Sequence, residues 1–187
     1  MSQRSQRLAD PERSVLVVID LQEAYRGKLH EEARAVKASS TLVQAAEILS
    51  IPVIVTEQYP ERLGTTRTEI EEVLGSETPR FSKRTFSCWG QTQFRTHLAG
   101  LGCDQVIITG IETHVCVQQT VLDLIRADFQ VHVARDGVTS RFALEDSVGW
   151  EKIVLAGALP ATAESILFEW VIDSREPEFK QVHALVA

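Results

Sequence analysis

Continuous apolar runs alternate along the chain with segments whose apolar residues recur every three or four positions. Val15-Leu16-Val17-Val18-Ile19, Val53-Ile54-Val55 and Val106-Ile107-Ile108 are rich in β-branched residues, the pattern of strands buried on both faces of a parallel sheet. Residues 14–20, 51–56, 129–134 and 158–161 therefore read as strands, 79–89 as a mixed strand-like segment, and the run from residue 106 as a central strand. Between them, Val36, Leu42, Val43, Ala46 and Leu49 mark a helix within 31–50. Similar spacing predicts helices over 68–74, 90–101, 117–127, 142–156 and 163–172, with a short helical tail over 178–187. Residues 57–66 and 135–138 read as loops leaving strands. Strands alternating with helices imply an α/β fold, a three-layer α/β/α arrangement with a mostly parallel, Rossmann-like sheet of about six strands.

This architecture places chemistry at the carboxyl ends of the strands, where ligands bind in open parallel sheets. The first strand ends in Asp20, which reads either as a helix cap or as a carboxylate at the mouth of the sheet. Gly110 to Val117 carries the central strand into a helical pattern, and Cys116 lies at that corner. A helix start there is expected to favour a thiolate, although many cysteines simply fill cores. Lys83 and Arg84 offer a cation at a third strand end, each of them also readable as a surface charge. His132 alternates with valines and reads as a core or edge histidine. An acid, a cation and a thiol are the groups that acyl transfer through a cysteine needs. Backbone amides between Ile111 and Cys116 are placed to form an oxyanion hole.

The 187 residues suit one domain, with 1–13 a flexible end and 14–187 a single folded unit. A net charge of −7 argues against nucleic acid or an anionic membrane as partner. No apolar run approaches the roughly 18 residues of a membrane span. Three cysteines without disulfide or zinc-site spacing point to a reducing compartment, and the polar start lacks a secretory h-region, so the expected location is cytoplasmic. Neither a Gly-x-Gly-x-x-Gly nor a Walker-type motif occurs.

Four stretches resemble the isochorismatase-like cysteine hydrolases, the family of nicotinamidases and N-carbamoylsarcosine amidases. They are Val-Val-Ile-Asp20-Leu-Gln, Ile51-Pro-Val-Ile-Val-Thr-Glu-Gln-Tyr-Pro60, Lys83-x-x-Phe86-Ser87 and Thr109-Gly-Ile-Glu-Thr-His-Val-Cys116-Val. The chain looks most similar to the isochorismatase-domain-containing branch. The resemblance implies Cys116 as nucleophile, Asp20 as general base and Lys83, not Arg84, as the cation. It also implies a cis peptide bond between Ile111 and Glu112, and an oxyanion hole made by the amides of Glu112 and Cys116. Tyr25, Tyr59, Phe86, Trp89 and His114 become candidate pocket residues.

The chain departs from the nicotinamidases in having no histidine between His30 and His97, where those enzymes hold a metal, so neither metal nor cofactor is expected. Isochorismatases proper lack the cysteine. The expected activity is therefore hydrolysis of a small amide-like or imide-like C–N bond through a thioester. The alternatives are a silent binding or regulatory module on the same fold, a vinyl-ether hydrolase, and a redox sensor built on Cys116. The resemblance also implies a homo-oligomer, whether dimer, tetramer or larger, and a small-molecule substrate.

Overall fold

The computed structural model describes residues 4–187. Six strands form one parallel sheet in the order β3-β2-β1-β4-β5-β6. The strands are β1 (Ser14–Ile19), β2 (Val53–Gln58), β3 (Arg80–Lys83), β4 (Gln105–Ile111), β5 (Gln130–Thr139) and β6 (Leu159–Ala161). The chain winds outward from β1 through β2 to β3, then returns to the other side of β1 for β4 and continues to β6. The order therefore reverses between β1 and β4, and the crevice at their carboxyl ends is the ligand position of such sheets.

Alternate residues of β1 enter opposite cores. Leu16 and Val18 pack with α1 (Glu32–Ile48) and α7 (Ala163–Val171), while Val15, Val17 and Ile19 pack with α4 (Thr92–Gly100) and α5 (Gln118–Arg126). Ile153 of α6 (Ala143–Leu155) joins the second core, and Val182 of α8 (Phe179–His183) joins the first. Two single turns, α2 (Pro60–Leu63) and α3 (Thr68–Glu71), cross the carboxyl side of the sheet.

Several boundaries differ from the sequence reading. β2 continues to Gln58, because the polar end of the strand pairs with β3, Glu57 opposite Ser82 and Gln58 opposite Lys83. β5 does not leave the sheet at Arg135 but continues through a bulge to Thr139. Two of its polar residues are held in place: Arg135 Nη2 donates to Asp146 Oδ2 at 2.6 Å, and Asp136 Oδ1 accepts from the Ala163 amide at 2.9 Å, while Arg135 Nη1 is buried without a partner among the described residues. The helix expected across 68–74 holds only four residues, and the tail helix only five.

The amino-terminal segment, expected to be flexible, is docked over its described part. Ala9 is fully buried, its amide donates to Glu169 Oε2 at 2.6 Å, and the Asp10 amide donates to Gln105 Oε1 at 2.7 Å. Residues 1–3 of that expectation lie outside the described residues.

Candidate active site

Asp20 follows β1 directly, with φ of +50°, a conformation that short polar side chains tolerate better than β-branched ones. It is buried, and both carboxylate oxygens are engaged. Oδ1 accepts from Thr56 Oγ1 at 2.9 Å, and Oδ2 accepts from Lys83 Nζ at 2.6 Å. Lys83, the last residue of β3, completes its donors with Gln58 Oε1 at 2.7 Å and the Phe86 carbonyl at 2.9 Å. The pleat decides between the two adjacent cations. Lys83 points inward with none of its side chain exposed, while Arg84 points outward, 61% exposed, over the ring of Tyr59.

Cys116 sits in a π-helical turn, Thr113–Val117, between β4 and α5. This local form lies outside the sequence reading, which has the helical pattern starting after Gly110; the strand instead continues through Ile111 and a wide turn intervenes. The turn closes on itself, with Val115 and Val117 amides both donating to the Glu112 carbonyl, at 3.0 and 3.2 Å. Thr120 Oγ1 donates to the Cys116 carbonyl at 2.7 Å and accepts from the Cys88 amide at 2.9 Å. Thr113 Oγ1 donates to Asp146 Oδ1 at 2.6 Å, tying the turn to α6. α6 approaches so closely that a Cβ on Gly149 would lie 2.7 Å from His114 Cα. The Ile111–Glu112 peptide bond is cis. Among the described residues no backbone carbonyl accepts from the Glu112 amide.

The electrostatics differ from the expectation of a thiolate at a helix start. Burial pushes the Cys116 thiol well above its ordinary value, the nearby Asp20 charge adds to this, and Lys83 only partly offsets it. The resting group is a thiol. Burial works most strongly against the Lys83 charge, but the attraction of Asp20, the nearby Cys88 and Cys116 sulfurs and the hydrogen bond to Asp20 together hold the ammonium above its usual value. Burial also raises the neighbouring Cys88 thiol, to about 11.

A cavity of about 270 Å³ opens over these groups. Asp20, Gln58 and Cys116 line its polar side, and Phe86, Ile111 and Val115 its apolar side. Tyr25, Glu112 and Arg141 complete the wall. Three candidate pocket residues lie elsewhere. Tyr59 packs under the guanidinium groups of Arg84 and Arg62, Trp89 turns edge-on to Phe129 at 5.9 Å, and His114 Nδ1 pairs with Ser140 Oγ at 2.9 Å. In each case a partner outside the crevice claims the ring. Arg141 escapes the sequence reading because it belongs to no motif used there, while Thr56 and Gln58 lie within the stretch Ile51 to Pro60 quoted above but are given no role, since only the pairing of β1, β2 and β3 brings them to the site. Among the described residues no three His, Cys, Asp or Glu side chains group so as to hold a metal ion.

The model of the isochorismatase domain matches residues 14–165. The chain belongs to the isochorismatase family. It is 38% identical over 180 residues to the secreted isochorismatase effector Isc1 of Phytophthora sojae, covering 94% of this chain and 85% of that protein. It is 36% identical to isochorismatase domain-containing protein 1 of Danio rerio, covering 94% of this chain but only 62% of that longer relative. Among solved structures it superposes on the MAR1 ribonuclease of Caenorhabditis elegans with a TM-score of 0.91 and 38% identity, covering 96% of this chain and 92% of that one. The fold is thus that of the isochorismatase-family hydrolases, and no helix among the described residues is long and apolar enough to cross a membrane.

Proposed function

We propose that this protein is a cysteine hydrolase of small amide-like or imide-like C–N bonds, with residues 14–187 acting as one catalytic unit. The observation that carries this reading is the buried Lys83–Asp20 ion pair, at 2.6 Å, whose Asp20 lines the same cavity as Cys116. A buried ion pair is a poor route to stability, because desolvation offsets much of the attraction, so its place beside a thiol favours a chemical role.

In the proposed reaction the Cys116 thiol gives its proton to Asp20 as the sulfur attacks the carbonyl carbon. The resulting oxyanion is stabilised by the backbone amides of Glu112 and Cys116. Asp20 then passes the proton to the leaving nitrogen as the C–N bond breaks, leaving a thioester on Cys116. Water attacks the thioester, Asp20 takes the water's proton, and collapse of the second tetrahedral intermediate returns that proton to the sulfur and releases the acid. Lys83 holds Asp20 and stabilises the negative charge that develops at the sulfur. The raised thiol fits this order of events, since proton transfer and attack are coupled on the substrate and no free thiolate is stored. No step calls on a metal or cofactor.

A small substrate fits a cavity of about 270 Å³. The Caenorhabditis elegans neighbour is described as a ribonuclease, but the net charge of −7 in this chain disfavours a polyanionic phosphodiester backbone as substrate. All three cysteines are free thiols, which fits a reducing compartment such as the cytoplasm. Homo-oligomer formation is supported by Leu144, Val148 and Leu155, which are 54–87% exposed on one face of α6. The hydrolase reading is tested by measuring ammonia release from a panel of small amides, ureas and imides. Wild type turns over at least one of them and Cys116→Ala none; equal activity of the two proteins would remove Cys116 from the reaction.

A further inference from the structure

Asp146 is a carboxylate buried on α6, 2% exposed, and it faces the turn that carries Cys116. Each of its oxygens has one short partner. Oδ1 accepts from Thr113 Oγ1 and Oδ2 from Arg135 Nη2, both at 2.6 Å. Arg135 stacks on Trp150, its guanidinium carbon 5.1 Å from the ring centroid, and its Nη1 is the buried donor left without a partner among the described residues. A buried charge pair that leaves a donor unfilled adds little to stability, and apolar side chains could fill the same space. What the carboxylate gives Thr113, and an apolar neighbour would not, is a charged acceptor that fixes the direction of its hydroxyl.

α6 meets the turn at two points. Asp146 and Gly149 lie three residues apart on one face of the helix and meet successive residues of the turn, Asp146 binding Thr113 and Gly149 admitting the His114 backbone. Thr113 is fully buried and directly follows Glu112. The Glu112 carbonyl is claimed by the amides of Val115 and Val117, so the peptide joining Glu112 to Thr113 is held at its carbonyl by the turn and at the next side chain by Asp146. The Glu112 amide, which no backbone carbonyl takes among the described residues, is the group whose direction this clamp sets. Oxyanion donors act through a direction fixed in advance, and a displacement of about 1 Å at a reacting site costs on the order of 100-fold in rate.

We propose that Asp146 is a positioning residue of this site: by holding the Thr113 hydroxyl it aims the Glu112 amide at the oxygen of a tetrahedral adduct on Cys116. Arg135 holds the second oxygen of Asp146. The role rests on the hydrolase reading above, but an adduct of the same shape forms without a bond to hydrolyse.

Propionaldehyde is the probe, since it makes such an adduct and stops there. The Cys116 sulfur bonds to the carbonyl carbon, the π pair of the C=O bond moves to oxygen, and Asp20 takes the thiol proton and delivers it to that oxygen. Iodoacetamide is the control, because displacement of iodide by the sulfur, with loss of the thiol proton to water, builds no charge on an oxygen. Alkylation of Cys116 is followed by peptide mass spectrometry at rising aldehyde concentration, which gives the alkylation rate and the aldehyde dissociation constant from one series. Thr113→Val keeps the shape of the side chain and the Asp146–Arg135 pair; it is expected to weaken aldehyde binding at least tenfold and to leave the alkylation rate within about twofold of wild type. Thr113→Ser keeps the hydroxyl and restores aldehyde binding. Asp146→Leu/Arg135→Met, which removes both buried charges together, behaves as Thr113→Val does. The two routes break the same bond from opposite ends, so one folded variant suffices. A turn that merely came apart would move both readouts together.

Aldehyde binding within about twofold of wild type in Thr113→Val, a parallel change in both readouts, Thr113→Ser as weak as Thr113→Val, or a wild type that the aldehyde does not protect overturns the proposal. If the split appears but wild type releases no ammonia from any amide, the positioning role stands and the hydrolase reading fails. If amides are hydrolysed and the split is absent, the hydrolase reading stands and the role of Asp146 falls.

Discussion

Lys83 Nζ lies 2.6 Å from Asp20 Oδ2, joining the ends of two strands that are not neighbours in the sheet. The strand between them, β2, holds one partner with each of two side chains: Thr56 donates to Asp20 and Gln58 accepts from Lys83. The pair is thus set by three adjacent strand ends, and its geometry follows from register more than from any loop.

Removing one partner leaves the other charged and buried. Lys83→Met is expected to destabilise the fold by about 3–5 kcal/mol and to abolish turnover, whereas Asp20→Asn/Lys83→Met recovers much of the stability and none of the activity. Chemical denaturation of the three proteins checks the ordering. A single variant as stable as wild type would mean that the pair is solvated.

Much of this was legible in the sequence, and the reasons are local. Uninterrupted apolar runs rich in β-branched residues at Val15–Ile19 and Val106–Ile108 announce buried parallel strands, and a parallel sheet fixes which ends carry Asp20, Lys83 and Cys116. What stayed hidden depends on pairing between distant segments. Asp136 and Gly137 look like a loop because nothing nearby in sequence shows that Ala163 and Thr109 will receive them. Arg141 belongs to no motif, and its place in the cavity depends on a hydrogen bond to Glu112, 29 residues earlier. Aromatic side chains were the least legible: Tyr59 and Trp89 suit a pocket as well as a surface, and arginine stacking in one case and Phe129 in the other draws them away.

Burial and the Asp20 charge hold Cys116 as a thiol, so its alkylation by iodoacetamide is expected to climb across pH 8–10 without levelling off. Peptide mass spectrometry at each pH follows it separately from Cys88 and Cys103. A plateau reached near pH 7 would identify a stored thiolate and favour redox sensing.

Acid sensitivity has a separate origin in His132, which is buried on β5 with its pKa lowered to about 4, by burial and then by the charge of Arg13. Because the unfolded imidazole takes its proton near 6.5, the neutral buried ring contributes stability above that pH and loses it as pH falls toward 4. The melting temperature of wild type should fall over this window, and His132→Leu should flatten that part of the curve. An unchanged slope in the variant would assign the acid limb to other groups.

Leu144, Val148 and Leu155 share one exposed face of α6, a stripe that a lone molecule would leave in water. Light scattering should give a mass that is a multiple of 20.8 kDa for wild type and the single-chain mass for Leu144→Glu/Val148→Glu, with circular dichroism unchanged. A wild type at the single-chain mass would rule out assembly through this face.

The central claim is that Cys116 carries the acyl group between two hydrolytic half-reactions. Acid quenching of wild type during turnover of an amide substrate, followed by intact and peptide mass spectrometry, tests it directly. The account predicts a protein heavier by the acyl group, with the increment on the peptide containing Cys116 and absent from Cys116→Ala. Ammonia release undiminished in Cys116→Ala, or an increment mapped to Cys88 or Cys103, would contradict it.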